Sequence, residues 1–200
     1  GVRCERFGNV IFVNFDDDAV SLLDWLGPLA DEWAEFGFDR VRLAARHSFD
    51  LKCNWKVAME ANMEVYHVPF IHPDTVAPLV DSKRNFNSLY PHGHARMFMP
   101  GSRPARSLRG NTDTVLEMMA KELTYWGLDP EDFRDDPLKT REALQQAKRE
   151  RGADMGYDFS HFHDAQLTDH FHYTIFPNVT FNTHSMFVWV FTHRPHPEDP

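Results

Sequence analysis

Residues 54–73 read NWKVAMEANMEVYHVPFIHP, and this stretch governs how the rest of the chain is read. Val57, Ala58, Ala61, Met63 and Val65 supply apolar sides, and no Gly or Pro intervenes before Pro69. The pattern predicts a helix over 55–68 with Asn54 as its N-cap. On that helix Glu60, Glu64 and His67 fall at i, i+4 and i+7, along one stripe. His72 would point about 140° away from His67 if the helix ran on unbroken. Pro69 ends the helix and forces a turn, which lets both imidazoles converge. Two neutral imidazoles meeting at one point suit Zn, Fe, Cu or Ni. Metal would then be lost as pH falls through the range where histidine protonates. Glu64, three residues before His67, is placed to accept from the second N–H of that ring. Met59, Met63, Val65, Tyr66, Val68, Phe70 and Ile71 surround these polar groups, and a Glu and a His in apolar company need partners or a metal. The same residues also fit a helix with a solvated carboxylate face and two histidines that hold nothing.

Working outward, Asn9–Phe15 alternates and reads as a strand. Ala19–Phe36 has helical spacing through Leu22, Leu26, Leu29 and Trp33, and Gly27-Pro28 splits it into two short helices. The alternation after Asp39 predicts a long strand over 40–51. Met97–Met99 reads as strand and Pro100–Thr112 as loop. Asp113–Trp126 and Leu138–Arg151 read as helices stopped by Gly127 and Gly152. Their many charges suggest an inserted, solvent-facing helical hairpin. From Asp169 the period becomes two, predicting antiparallel strands over His170–Phe176, Val179–His184 and Met186–His193, with Pro177-Asn178 as a turn. Mixed elements followed by a β-rich end argue α+β.

Composition narrows the classes of function. The 200 residues are 42% apolar and 14% aromatic, with 17 Phe, which excludes disorder as the main state. Lys and Arg total 21 against 30 Asp and Glu, a net charge of −9, which disfavours nucleic acid as a partner. Cys4 and Cys53 read as reduced thiols, which suits a cytoplasmic protein. The longest apolar run, Met186–Phe191, is six residues, far short of a bilayer span. The chain opens Gly-Val-Arg-Cys, without Met, and reads as a piece of a longer protein. There are 12 histidines, many in pairs: His67/His72, His92/His94, His161/His163 and His170/His172. His92 and His94 flank a Gly and read as an exposed turn. His170 and His172 share a strand face that lines a pocket or meets solvent. Met97, Phe98, Met99, Phe181 and Phe187 read as core rather than as a substrate box.

Asn54, Trp55, Lys56, Glu60, Glu64, Tyr66, His67, Val68, Pro69, His72 and Pro73 together resemble the catalytic domain of Rieske non-haem iron oxygenases, the α subunits of ring-hydroxylating systems. Gly8–Asn14 and Tyr173–Asn178 resemble the family more weakly. Ala61 stands where the family usually has Asn. The resemblance implies a helix-grip fold, a curved antiparallel sheet around a long helix. It implies Fe(II) held by two histidines and a carboxylate, with His67 and His72 as the imidazole ligands. Glu64 falls where the family has an acidic catalytic residue that bridges electron transfer from a neighbouring subunit. The carboxylate ligand is expected beyond Pro200; Asp164 or Asp169 could substitute within the chain, but nothing in the resemblance points to them and both read rather as loop carboxylates before a strand. The Cys-x-His…Cys-x-x-His signature is absent, so the [2Fe-2S] Rieske cluster is expected in a domain before residue 1. Residues 1–15 would then end that domain or its linker, and 16–200 would be the catalytic domain. The implied activity is NAD(P)H-dependent mono- or dioxygenation of an aromatic or other apolar small molecule, within aromatic-compound catabolism. The implied partners are dioxygen, a reductase or ferredoxin, and a homotrimer or α3β3 assembly; no nucleic acid or membrane is expected. Two other readings stay open: a non-catalytic helix-grip domain that binds an apolar ligand, and a zinc hydrolase with Glu64 as base.

Overall fold

In the computed structural model, residues 1–73, 75–77, 80, 83–101 and 112–198 are described, and of 112–116 the backbone only. The centre is a five-stranded antiparallel sheet of β3 (Phe86–Leu89), β4 (Ala95–Met99), β5 (His170–Ile175), β6 (Val179–Thr183) and β7 (Val188–Thr192), in that spatial order. Its register pairs Met97 with His172, His172 with Asn182, and Tyr173 with Phe181. Cross-strand partners share a face, so the sheet has two distinct sides. Phe98, Phe171, Tyr173 and Phe181 point one way; Met97, Met99, His170, His172 and Asn182 point the other.

The aromatic side carries the main core. α1 (Leu22–Leu26) and α2 (Pro28–Glu35) lie against it, split at Gly27-Pro28 as the sequence predicts. Leu26, Leu29, Trp33 and Phe181 are fully buried there, and the Trp33 and Phe181 rings lie 4.3 Å apart. Each such burial contributes about 1.5–3 kcal/mol. A hairpin of β1 (Arg3–Phe7) and β2 (Val10–Asn14) closes over α2 through Phe7, whose ring sits 5.8 Å from Trp33. The expected strand over 9–15 thus has a partner strand that the sequence reading missed. Gly8 turns this hairpin at φ 57°, and a Cβ there would stand 2.8 Å from the Phe38 Cβ, so only glycine fits.

Three expectations need correction. The helix over 55–68 is two pieces, α3 (Trp55–Glu60) and α4 (Val68–Ile71), joined by a non-helical turn. Asn62, not Pro69, ends the first: its Nδ2 donates to the Ala58 carbonyl at 3.0 Å, the acceptor its own backbone N–H would use in a continuing helix. That N–H turns instead to Met59, three residues back. Pro69 sits in the first turn of α4, where its missing N–H costs nothing. Residues 41–51 form no strand, because no described strand pairs with them, and Leu43, Phe49 and Leu51 are exposed.

The helices α5 (Thr112–Tyr125) and α6 (Thr140–Arg151) are not a solvent-facing hairpin. Met119, Leu123, Trp126, Leu144 and Ala147 join the main core cluster. A narrow stripe suffices to dock α6, since its inward set is only Thr140, Leu144, Ala147 and Lys148. The loop expected over 100–112 falls largely outside the described residues. No described helix is long and apolar enough to cross a membrane.

Candidate metal centre

The second side of the sheet faces the turn between α3 and α4. A smaller apolar cluster of Val65, Val68, Ala77, Val80, Met97 and Met99 fills the space between them. His67 is the residue before α4 and His72 the residue after it. One short helical turn therefore separates the two rings and brings them to the same side, with centroids 5.3 Å apart and planes at 74°.

Glu64 fixes the first ring. Its Oε1 bonds His67 Nδ1, and its Oε2 accepts from the backbone N–H of His67 at 3.2 Å and from that of Tyr66. A carboxylate accepts, so Nδ1 carries a proton, and in the neutral ring the lone pair is on Nε2. Burial pushes the Glu64 pKa up, but the bonds from His67 and Tyr66 outweigh it and the net shift is downward. The carboxylate is thus held ionised beside the ring. Glu60, the last residue of α3, is exposed, and the broken helix takes it off the expected stripe with Glu64 and His67.

The sheet supplies a polar backing. His172 Nδ1 lies 3.1 Å from the Asn62 carbonyl, and Asn182 Nδ2 donates to Asn62 Oδ1 at 3.1 Å. His170 and His172 therefore face the turn and the inner layer, not open solvent. The His170 and His184 rings lie 5.2 Å apart. Burial pushes His172 down to about 4, helped by His170, and burial lowers His170 and His184 as well. All three are neutral at pH 7. Asn62 and Asn182 were missed in the sequence; an Asn four residues after Ala58, inside a helical pattern, was the available signal.

The in-chain carboxylate substitutes are committed elsewhere. Asp169 is buried, is bonded by Arg141 through both oxygens, and accepts from Gly101 N at 2.9 Å. Asp164 pairs with Arg149 at 2.6 Å. Among the described residues no group of three His, Cys, Asp or Glu could hold a metal ion. Cys4 and Cys53 are exposed free thiols. His94 departs from its expected place in an exposed turn. It is fully buried, with Nε2 3.0 Å from the Trp25 carbonyl and Nδ1 accepting from Phe176 N, and so ties α1 to the end of β5. A cavity of about 380 Å³ lies on the other side of the sheet, between Phe36, Phe98, Phe171, Glu32 and Arg96, away from His67 and His72.

Residues 38–200 match the family model described as "Ring hydroxylating alpha subunit (catalytic domain)". The glycine betaine monooxygenase oxygenase subunit of Chromohalobacter salexigens is 32% identical over 80 residues, 40% of this chain and 18% of that protein. The 2-aminobenzenesulfonate 2,3-dioxygenase subunit alpha of Alcaligenes sp is 32% identical over 97 residues, 47% of this chain and 25% of that protein. The crystal structure of the quaternary ammonium Rieske monooxygenase CntA, an inhibitor complex, superposes with TM-score 0.58 at 17% identity, covering 97% of this chain and 38% of that one. The chain is therefore similar to a minor part of each relative's length.

Proposed function

The chain belongs to the family of ring-hydroxylating oxygenase α-subunit catalytic domains, and on that footing we propose that His67 and His72 are two of the three protein ligands of a mononuclear Fe(II) centre. The observation that carries this reading is the approach of the two rings to 5.3 Å while Glu64 occupies Nδ1 of His67. That donor set fits iron: two neighbouring imidazoles, one with Nδ1 taken by Glu64 and Nε2 free to bind, leave room for a carboxylate and for open positions. The carboxylate would come from outside the described residues, beyond Pro200 as the family pattern implies.

When bound, the iron supplies activation of dioxygen. The chain's own residues do the rest. His67 and His72 bind, and Glu64 holds the Nδ1 proton of His67 so that the ring cannot turn. Val65, Val68, Met97 and Met99 form the dry layer beneath the site. Glu64 also stands as the route by which electrons enter from a neighbouring subunit. In this reading residues 1–15 link to a Rieske domain with a [2Fe-2S] cluster, and 16–200 are catalytic, with the sheet and the α3–α4 segment as part of a helix-grip fold. Electrons come from NAD(P)H through a reductase or ferredoxin. The product is a hydroxylated aromatic or other apolar small molecule, made by a cytoplasmic homotrimer or α3β3 assembly.

Elemental analysis of the chain extended beyond Pro200 to include the third ligand, purified without chelator, tests the reading. Iron is expected, with His67→Ala and His72→Ala each losing it and the fold kept. Zinc with retained hydrolytic activity would favour a hydrolase, and absence of any metal a ligand-binding domain; either result overturns the iron centre.

A further inference from the structure

We propose that Asn62, His172 and Asn182 are positioning residues: they clamp the turn that carries Glu64 and His67 to the sheet, and so set the metal affinity of the His67–His72 pair. The inference rests on the reading that this pair binds metal.

The donor and acceptor roles in the clamp are fixed by chemistry. The Ala58 carbonyl can only accept, so the Asn62 atom 3.0 Å from it is Nδ2. Asn62 Oδ1 is then an acceptor, and the Asn182 atom 3.1 Å away must be its Nδ2. The Asn62 carbonyl likewise only accepts, so the His172 ring presents Nδ1–H to it at 3.1 Å. One residue thus ties helix α3 to strands β5 and β6 through three separate groups. His172 and Asn182 are direct cross-strand partners, so their side chains stand side by side and form one platform. Next along the chain, the Met63 carbonyl accepts from Asn87 Nδ2 at 3.3 Å, which adds β3.

The turn needs such support because it has little of its own. Between α3 and α4 the backbone-to-backbone bonds are all short-range, from Asn62 N to Met59, from Met63 N to Glu60 and from Val68 N to Val65, and the bonds from Tyr66 N and His67 N to Glu64 stay within the turn. Val65 is buried in the second cluster and holds the turn down, but apolar contact does not fix its rotation. The directional bonds from the turn to the sheet are those of Asn62, with the Asn87–Met63 bond beside them. From there Glu64 is two residues on and His67 five, so a pivot at Asn62 moves the ligand ring relative to His72. Groups bonded directly to a metal ligand typically change affinity about 10–100-fold when removed; the clamp acts one step further back, through the turn, so its effect falls at the lower end of that range.

The test is Co(II) titration of the chain extended beyond Pro200 to include the third ligand, read by the visible absorption of the bound ion, with His67→Ala as the blank. Asn182→Asp keeps the shape of the side chain but puts a second acceptor against Asn62 Oδ1. His172→Phe removes the donor to the Asn62 carbonyl, and His172→Asn restores a donor at nearly the same place. Asn182→Asp and His172→Phe should each weaken Co(II) binding by about tenfold and alter the band shape. His172→Asn should bind within about threefold of the parent, a rescue that general loosening of the fold would not give. Equal affinity and unchanged spectra in folded Asn182→Asp and His172→Phe would overturn the clamp and leave the iron reading standing. Failure of the parent to bind Co(II) would overturn both.

Discussion

At the scale of single residues, the inner histidines give the protein its sharpest pH dependence. Burial, with help from His170, pulls His172 from 6.5 to about 4. Between those two values the unfolded chain takes up a proton that the folded chain refuses. The stabilisation is therefore full above about pH 6.5 and is lost as pH falls towards 4, by on the order of 3 kcal/mol for this ring. Burial shifts His94, His170, His184 and His193 in the same direction, so their losses add to it. The urea midpoint should drop steeply from pH 7 to pH 5, and His172→Asn should flatten that slope. A midpoint that stays level across the interval would mean these rings are hydrated and charged in the folded state. The Glu64–His67 pair shows how a site can be legible for an incomplete reason. Their three-residue spacing suggested a helix stripe, but the bond forms in a turn, where the same short separation lets the carboxylate reach both the ring and two backbone N–H groups.

Among the elements, α6 depends most on one polar group. Lys148 is fully buried on it, donating to the Leu167 carbonyl at 2.6 Å and to Ser185 Oγ at 3.1 Å while pairing with Glu122 of α5 at 2.8 Å. Lys148→Ala leaves those partners without their cation and opens a cavity, so it should cost about 3–5 kcal/mol. Lys148→Met, which keeps the stem, should cost less. Lys139→Ala removes only a loose pair with Asp136 at 3.9 Å on the surface and should change stability by under about 0.5 kcal/mol. Thermal melts of the three variants rank them; a Lys148→Ala melt like that of Lys139→Ala would mean the buried pair is not coupled to folding. This polar docking explains why the sequence misled: TREALQQAKRER is charged on most sides, yet one of its six charged residues, Lys148, makes the inward contact. The strands after Asp169 were legible because β-branched and aromatic residues alternate there, and the structure pairs all three. The alternation over 40–51 looked the same, but a strand is made by its partner, which a local pattern cannot report. The α3–α4 break was hidden because Asn62 competes with the helix through a side-chain bond that apolar spacing does not register.

For the molecule as a whole, the unequal cover of its two sides decides how it behaves in solution. The aromatic side of the sheet is closed by α1, α2, α5 and α6, whereas among the described residues β7 is an edge strand. Trp189, Val190 and Phe191 are exposed on it at 59%, 49% and 39%. Leu43, Phe49 and Leu51, and Tyr66, Phe70 and Ile71 beside the two histidines, add further exposed apolar area. Monomeric proteins rarely leave contiguous apolar patches larger than a few hundred Å² open to water. An edge strand with unpaired N–H and C=O groups also invites pairing with a second copy. Against this stands the net charge of −9, which keeps like chains apart at low ionic strength. The 200-residue chain should therefore be monomeric when dilute in low salt and associate as salt screens the repulsion over about 8–10 Å. Val190→Lys places a cation on the edge, the device by which natural sheets block such pairing. Light scattering after size exclusion, run across salt and concentration, should show association in the parent chain and its loss in Val190→Lys. Association that persists unchanged in Val190→Lys would move the contact to the apolar face around Tyr66, Phe70 and Ile71, and a parent chain that stays monomeric at high salt would show that neither surface is sticky enough to matter.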